Sequence, residues 1–181
     1  MITLAVVLAF ALPASASATD PWSQLHRPLR LQPLAAGAAC PVTRPARLAG
    51  APIALLGAGP VFPGLAPNPV RVDRYDLAPA WLGAKTIWAW PPALTHRHML
   101  VLVRGLRLDG GGPVRFQLGP QWGSAPITRE LRIDSTKTVG SFSGSRWGTT
   151  VTMILVKSPG CYGLQLDSSV GTTTVVVDAR R

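Results

Sequence analysis

The sequence predicts an all-β fold: an immunoglobulin-like antiparallel β-sandwich of two sheets packed face to face, preceded by an extended Pro/Ala-rich arm. Three observations carry this. Gly and Pro number 18 each in 181 residues, enough to interrupt helices throughout the chain. Apolar residues reach 47% and charged residues only 14%, so there is ample surface to bury and too little charge to hold the chain unfolded. From Lys85 onward, short apolar or alternating runs return about every 8 to 15 residues, separated by turn residues, and no amphipathic helical period appears. A closed barrel is the alternative with the same signature.

Residues 1–18 are expected to be a secretory signal. Leu4 to Leu12 is a short apolar run, Pro13 breaks it, and Ala14-Ser15-Ala16-Ser17-Ala18 offers small residues for cleavage after Ala16 or Ala18. The run is far shorter than the roughly 20 residues that span a bilayer, and no later stretch qualifies, so no transmembrane segment is expected after cleavage. No Lys or Arg precedes the run, which leaves an uncleaved anchor as the alternative. The expected location is secreted or associated with the cell envelope.

Residues 19–50 read as an extended arm rich in Pro, Ala and Arg, with Trp22 as its large aromatic. Residues 51–181 read as a single β-sandwich domain. Within it, Gly57 to Pro69, with its prolines, glycines and alanines around Phe62, reads as irregular structure with at most one short strand before it. Thr86 to Trp90 is β-rich and is stopped by Pro91-Pro92. Met99 to Arg104 is a continuous apolar strand that Gly105 is expected to end, with Leu106 to Leu108 a brief continuation before the Asp109–Gly112 turn. Val114 to Leu118 and Glu130 to Ile133 alternate, as half-buried strands do. Val139 to Phe142, Thr149 to Lys157, Cys161 to Asp167 and Thr172 to Val177 complete the expected set.

Cys40 and Cys161 are the two cysteines. An even count in an exported chain predicts a disulfide. Closing a loop of this size stabilises by about 5 kcal/mol on the chain-entropy model. Ala38-Ala39-Cys40 resembles the end of a lipobox, but Gly37 stands where an apolar residue is usual and the site lies far beyond the apolar run.

The formal charge is +10, carried by 15 Arg and 3 Lys against 8 acidic residues. Such a field favours anionic surroundings. Arg pairs three apart recur at Arg27/Arg30, Arg44/Arg47, Arg71/Arg74, Arg104/Arg107 and Arg129/Arg132. On a helix each pair would share a face; on strands the two members point to opposite faces, so they cannot form one phosphate clamp. Arg71, Arg74, Arg104, Arg107, Arg129 and Arg132 are therefore candidates for a diffuse basic surface, and nucleic acid is not an expected partner.

Catalytic signatures are missing. His96-Arg97-His98 has a spacing used in metal sites, but no third ligand lies near and Arg97 repels a cation, so no metal or other cofactor is expected. Asp73 and Asp76 are the closest carboxylate pair, each beside an arginine that suits a surface ion pair better than a glycosidase. Gly140-Ser141-Phe142-Ser143-Gly144 puts Phe142 where a nucleophile elbow needs serine. Trp88-Ala89-Trp90 points both indoles to one side of a strand, either into a core or outward as a stacking platform for sugar rings, which Trp122 and Trp147 would extend.

Four segments occur together: Cys40-Pro41-Val42-Thr43-Arg44-Pro45, Lys85 to Trp90, Gly105-Leu106-Arg107-Leu108-Asp109-Gly110, and Pro159-Gly160-Cys161-Tyr162. In this the chain resembles uncharacterised secreted bacterial proteins in which an early C-P-V-T meets a late G-C-[WY], over Cys40 to Val177. The resemblance implies an exported, disulfide-closed β-sandwich and carries no activity. The expectation for function is an exported, non-enzymatic protein that binds or packs in the cell envelope through its basic surface, with an anionic polymer or glycan as partner. A carbohydrate-binding module built on Trp88 and Trp90 is the alternative, and an envelope hydrolase the weakest.

Overall fold

The computed structural model describes residues 20–51, 53–65, 67–95, 97–119, 124–137 and 145–181. The predicted signal, Trp122, His96, the Val139 to Phe142 strand and the Gly140–Gly144 segment lie outside the described residues. Thirteen strands are described: β1 Pro45–Ala46, β2 Leu55–Leu56, β3 Phe62–Gly64, β4 Val70–Arg71, β5 Asp73–Arg74, β6 Leu82–Trp90, β7 Leu100–Arg107, β8 Arg115–Leu118, β9 Ile127–Thr128, β10 Leu131–Asp134, β11 Gly148–Val156, β12 Gly160–Ser168 and β13 Gly171–Arg180. Among the described residues, helix is confined to a 3-10 turn at Ser23–Leu25 and one α-turn at Pro92–Thr95.

The predicted sandwich is present. One sheet has the order β10-β7-β12-β13-β4, the other β3-β6-β11-β8-β9 with β5 beside β6. Antiparallel pairs nest inside one another: β8–β9 within β7–β10 within β6–β11. The segment from β6 to β11 is thus one long hairpin folded across the two sheets, a nesting shared with jelly rolls. One pairing departs from the antiparallel expectation: β4 runs parallel to β13, placing Val70 beside Ala179 and Arg71 beside Arg180.

Strand alternation builds the interior. Tyr162, Leu164 and Leu166 of β12 and Val175, Val177 and Ala179 of β13 face inward from one sheet. Trp88 and Trp90 of β6, Phe116 of β8, and Ile154 and Val156 of β11 come from the other, and all join one apolar cluster. Trp88 is fully buried and donates its indole N–H to Thr152 Oγ1 at 2.8 Å. Trp90, also fully buried, lies across from Gly148. A Cβ there would stand 2.0 Å from the Trp90 indole nitrogen, so glycine at 148 makes room for the ring.

Gly105 does not end its strand. β7 continues to Arg107 because Gly105 is where neighbouring groups approach most closely: a Cβ would meet Leu164 Cδ2 at 2.7 Å and the Gly163 carbonyl at 2.8 Å. Glycine here marks close approach rather than a turn.

The arm crosses the outer face of the five-stranded sheet. Leu34 donates its N–H to the Leu108 carbonyl at 2.7 Å, and Leu31 packs over Gly163. The Cys40–Cys161 disulfide then fixes the arm to β12. Thr43 exchanges two hydrogen bonds with Val176 of β13, both 2.9 Å.

Candidate functional site

The residues that carry function in a binding protein must reach solvent, and burial redistributes the candidates. Trp88 and Trp90 do not form a stacking platform: both indoles are walled in between the sheets, facing inward because that face of β6 is the core face. Trp147 is also buried, in a second cluster on the outer side of the six-stranded sheet with Leu55, Phe62 and Ala89. Its ring meets Phe62 at 6.1 Å. All three tryptophans are structural.

Two of the six candidate arginines are partly buried and held by other side chains. Arg104 donates from Nη2 to Asp167 Oδ2 at 2.7 Å and to the Arg27 carbonyl of the arm. Its side chain is 18% exposed and that of Asp167 is fully buried. Around this pair, the Gln165 amide donates to Asp167 Oδ2 at 3.0 Å and to the Pro28 carbonyl at 3.1 Å, while its Oε1 accepts from Arg30 N–H at 2.7 Å. Thr172 donates to Asp167 Oδ1 at 2.7 Å and accepts from Arg27 at 3.1 Å. Arg104 is thus one of the anchors that dock the arm.

Arg107 is held by Asp109 at 2.6 Å and donates to Ser158 at 2.7 Å. The bond from Arg107 holds the Asp109 carboxyl below its ordinary range, against the opposing effect of burial.

Arg71, Arg74 and Arg129 are exposed. Arg132 lies between: its guanidinium stands 5.5 Å over the Trp22 ring and pairs with Glu130 at 2.9 Å and Asp20 at 3.5 Å. It borders an open groove along the side of the sandwich, between β10 and the β8–β9 edge. The groove has two adjoining parts of about 560 and 430 Å³ that share Leu118 and Arg132. Its charged walls cancel, Glu130 and Asp134 against Arg132 and Lys137.

Both carboxylates stay ionised. Burial alone would raise them, but hydrogen bonds from His26 and Arg132 lower Glu130, and those from Thr136, with the His98 and Lys137 charges, lower Asp134. The groove therefore has no net charge with which to attract a polyanion.

The other chemical candidates resolve as structure. His98 stands 3.6 Å from Asp134, and Asp73 pairs with Arg71 at 3.2 Å while Asp76 has no ion pair among the described residues. The Cys40 sulfur is bonded to Cys161 and so carries no lipid.

Sequence reasoning missed the Arg104–Gln165–Asp167 cluster. Its signal was three polar side chains on adjacent central strands, readable only once the register places Gln165 beside Arg104.

Seven of the eight carboxylates, all but Asp76, are engaged by Arg, Lys or His within 4 Å. Left uncovered among the described residues are exposed arginines with no ion pair: Arg30, Arg44, Arg47, Arg74, Arg97, Arg129, Arg146 and Arg181. No known protein-family model matches this chain, and no curated protein or solved structure is significantly similar to it.

Proposed function

We propose that this is an exported, non-enzymatic β-sandwich protein that binds an anionic polymer of the cell envelope through its exposed arginines. The observation that carries the reading is the engagement of nearly all carboxylates within the fold. The acids are taken up by basic partners in the interior, at the arm and on the surface, and the remaining exposed guanidinium groups face solvent without a counter-charge. Guanidinium is weakly hydrated and matches carboxylate and phosphate oxygens in pairs, so it binds polymeric oxyanions well without a cleft. Such binding is long-ranged and screened by salt.

Export is supported by the apolar N-terminal run and by a disulfide, which persists in oxidising compartments. The resemblance to secreted bacterial proteins points the same way, and two of its four anchors, Cys40 and Cys161, are the bonded pair. A sugar platform at Trp88 and Trp90 has no place in this reading, since neither ring reaches solvent.

The test is retention on immobilised polyanion against a neutral glycan resin, with a salt gradient. Retention on the polyanion that vanishes by about 0.5 M salt is expected, where the Debye length falls to a few ångströms. Equal retention on the neutral resin, or salt-resistant binding, overturns the proposal.

A further inference from the structure

We infer that the pocket where β6 ends and β11 begins binds the carboxylate of one acidic sugar unit, held by Arg146 and the indole N–H of Trp147. This rests on the polyanion reading and adds to it a specific, sugar-sized site.

The pocket is bordered by the Ala49–Gly50 turn, by Pro91 and Pro92, and by the segment from Ser145 to Trp147. Its volume is about 300 Å³. Ligand pockets run from about 300 to 1,000 Å³, so this one suits a single ring. The local sequence builds it. Pro91-Pro92 stops β6 after Trp90, and β11 starts at Gly148, directly opposite Trp90. Both chains therefore leave the sheet at the same place. The Ala51 N–H donates to the Leu48 carbonyl at 3.0 Å, closing the turn at Ala49–Gly50. Ser145 Oγ donates to the Gly50 carbonyl at 3.3 Å and accepts the Trp147 backbone N–H at 3.2 Å. That hydroxyl clamps the turn to the entrance of β11.

Two donors here have no protein partner. The Trp147 ring is structural, 6% exposed and packed on Phe62, yet its indole N–H meets no acceptor among the described residues. A Cβ at position 50 would stand 3.5 Å from Trp147 Nε1. The nitrogen thus lies at the Gly50 wall, and glycine, which the φ of +71° also favours, leaves that side open. Arg146 is exposed, borders the same pocket and has no ion pair among the described residues. No acidic residue lines the pocket. Its positive charge is therefore not cancelled, in contrast to the groove beside β10.

This donor set matches a carboxylate. A guanidinium presents paired N–H groups to two oxygens, and an indole N–H fixed by the packing of its ring adds direction. A buried donor without an acceptor is unfavourable, and a carboxylate oxygen at Nε1 answers it with a charge-assisted bond. The other walls, Ala49, Pro91 and Pro92, are apolar and face the C–H side of a sugar ring. Phosphate, with more oxygens and more charge, would leave most of its acceptors unmet by one guanidinium and one indole.

The experiment titrates the full chain with trigalacturonate, with neutral galactotriose and with inorganic phosphate. The indole N–H resonance of Trp147, assigned through its own ring and backbone, is followed by NMR. Affinities for trigalacturonate are compared among the parent, Arg146→Gln, Trp147→Phe and Arg129→Gln. Arg129 is exposed and does not border the pocket, so its variant removes the same charge from the diffuse set. Thermal midpoints verify the folds, and retention of the parent on polyanion resin is measured in parallel.

Trigalacturonate is expected to move the Trp147 resonance downfield, while galactotriose and phosphate leave it in place. Arg146→Gln is expected to weaken binding about tenfold and Trp147→Phe about fivefold, as losing a hydrogen bond to a charged group does. Arg129→Gln should cost no more than about twofold, the share of an exposed charge. If Trp147→Phe lowers the midpoint, the parent's resonance and Arg146→Gln decide the matter. Equal losses in Arg146→Gln and Arg129→Gln with a stationary resonance overturn the pocket, while retention on the resin leaves the diffuse reading standing. An equal shift with phosphate or with galactotriose overturns the assignment to an acidic sugar. A parent that shows neither shift nor retention overturns both readings.

Discussion

The five-stranded sheet is covered on both faces, and the two coverings are made of different materials. Its inward face presents Tyr162, Leu164 and Leu166 to the tryptophans of the other sheet. Its outward face presents Gln165 and Asp167, equally inaccessible, to the arm. The inner contact is non-directional and tolerates repacking at constant volume. The outer one depends on hydrogen bonds of fixed geometry, and a single missing partner leaves a buried polar group with nowhere to turn. A sheet buried this way is held by volume on one side and by stoichiometry on the other.

The disulfide is where the two materials are joined, and removing it is the largest perturbation. Cys40→Ser with Cys161→Ser opens a loop of sequence separation 121, and stability is expected to fall by about 5 kcal/mol on the chain-entropy model. Urea denaturation measures that loss, and limited proteolysis shows where it falls. Cleavage between residues 27 and 40 should precede cleavage of the core strands. A loss under about 1 kcal/mol would mean that the polar contacts alone hold the arm.

Next in size is the buried charge. Asp167→Ala leaves Arg104 without its carboxylate under the arm, and breaking a buried pair in this way costs about 3–5 kcal/mol. Converting both partners, Asp167→Leu with Arg104→Met, should recover much of that loss, because no unpaired charge remains. Denaturation midpoints of the single and double variants decide the matter. If the double variant is as unstable as the single, the arm is held by geometry that only the ionic pair supplies.

Much of this fold was legible in the sequence because its long strands obey a simple period. Val101 and Val103, Leu164 and Leu166, and Val175 and Val177 alternate inward as the pattern requires, and the two cysteines meet as an even count predicts. The pattern was silent where the second covering intervenes. Alternation marks Gln165 as a solvent-facing residue, and nothing local announces that Pro28 and Arg30, some 135 residues earlier, will cover it. Arg104 looked like surface charge for the same reason. β1 to β5 have only two or three residues each, too few for any period to show. The β4–β13 edge was hidden because Arg71 and Arg180 become neighbours only through a parallel pairing that local sequence does not encode.

The smallest expected effect is a pH dependence, and it sharpens the contrast because the apolar interior holds no carboxylate or imidazole. Asp109, Glu130 and Asp134 all have pKa values below their ordinary ones in the folded protein. A carboxylate depressed by folding binds its proton more readily when unfolded, so its contribution is whole above the ordinary values near 3.8 and 4.5. It is lost as pH falls through the lower folded-state values. Glu130 bears most directly on the arm, since it bonds His26 of the arm at 2.7 Å and Arg132 of β10 at 2.9 Å. With its side chain 22% exposed, the share of Glu130 should stay below about 1 kcal/mol. Urea midpoints measured from pH 6 to pH 3 should decline, and Glu130→Gln should flatten part of that decline while lowering the pH 6 value. A parent curve that is level over this interval would show that the arm is docked by its neutral and fully buried contacts, with the groove-side ion pairs contributing nothing.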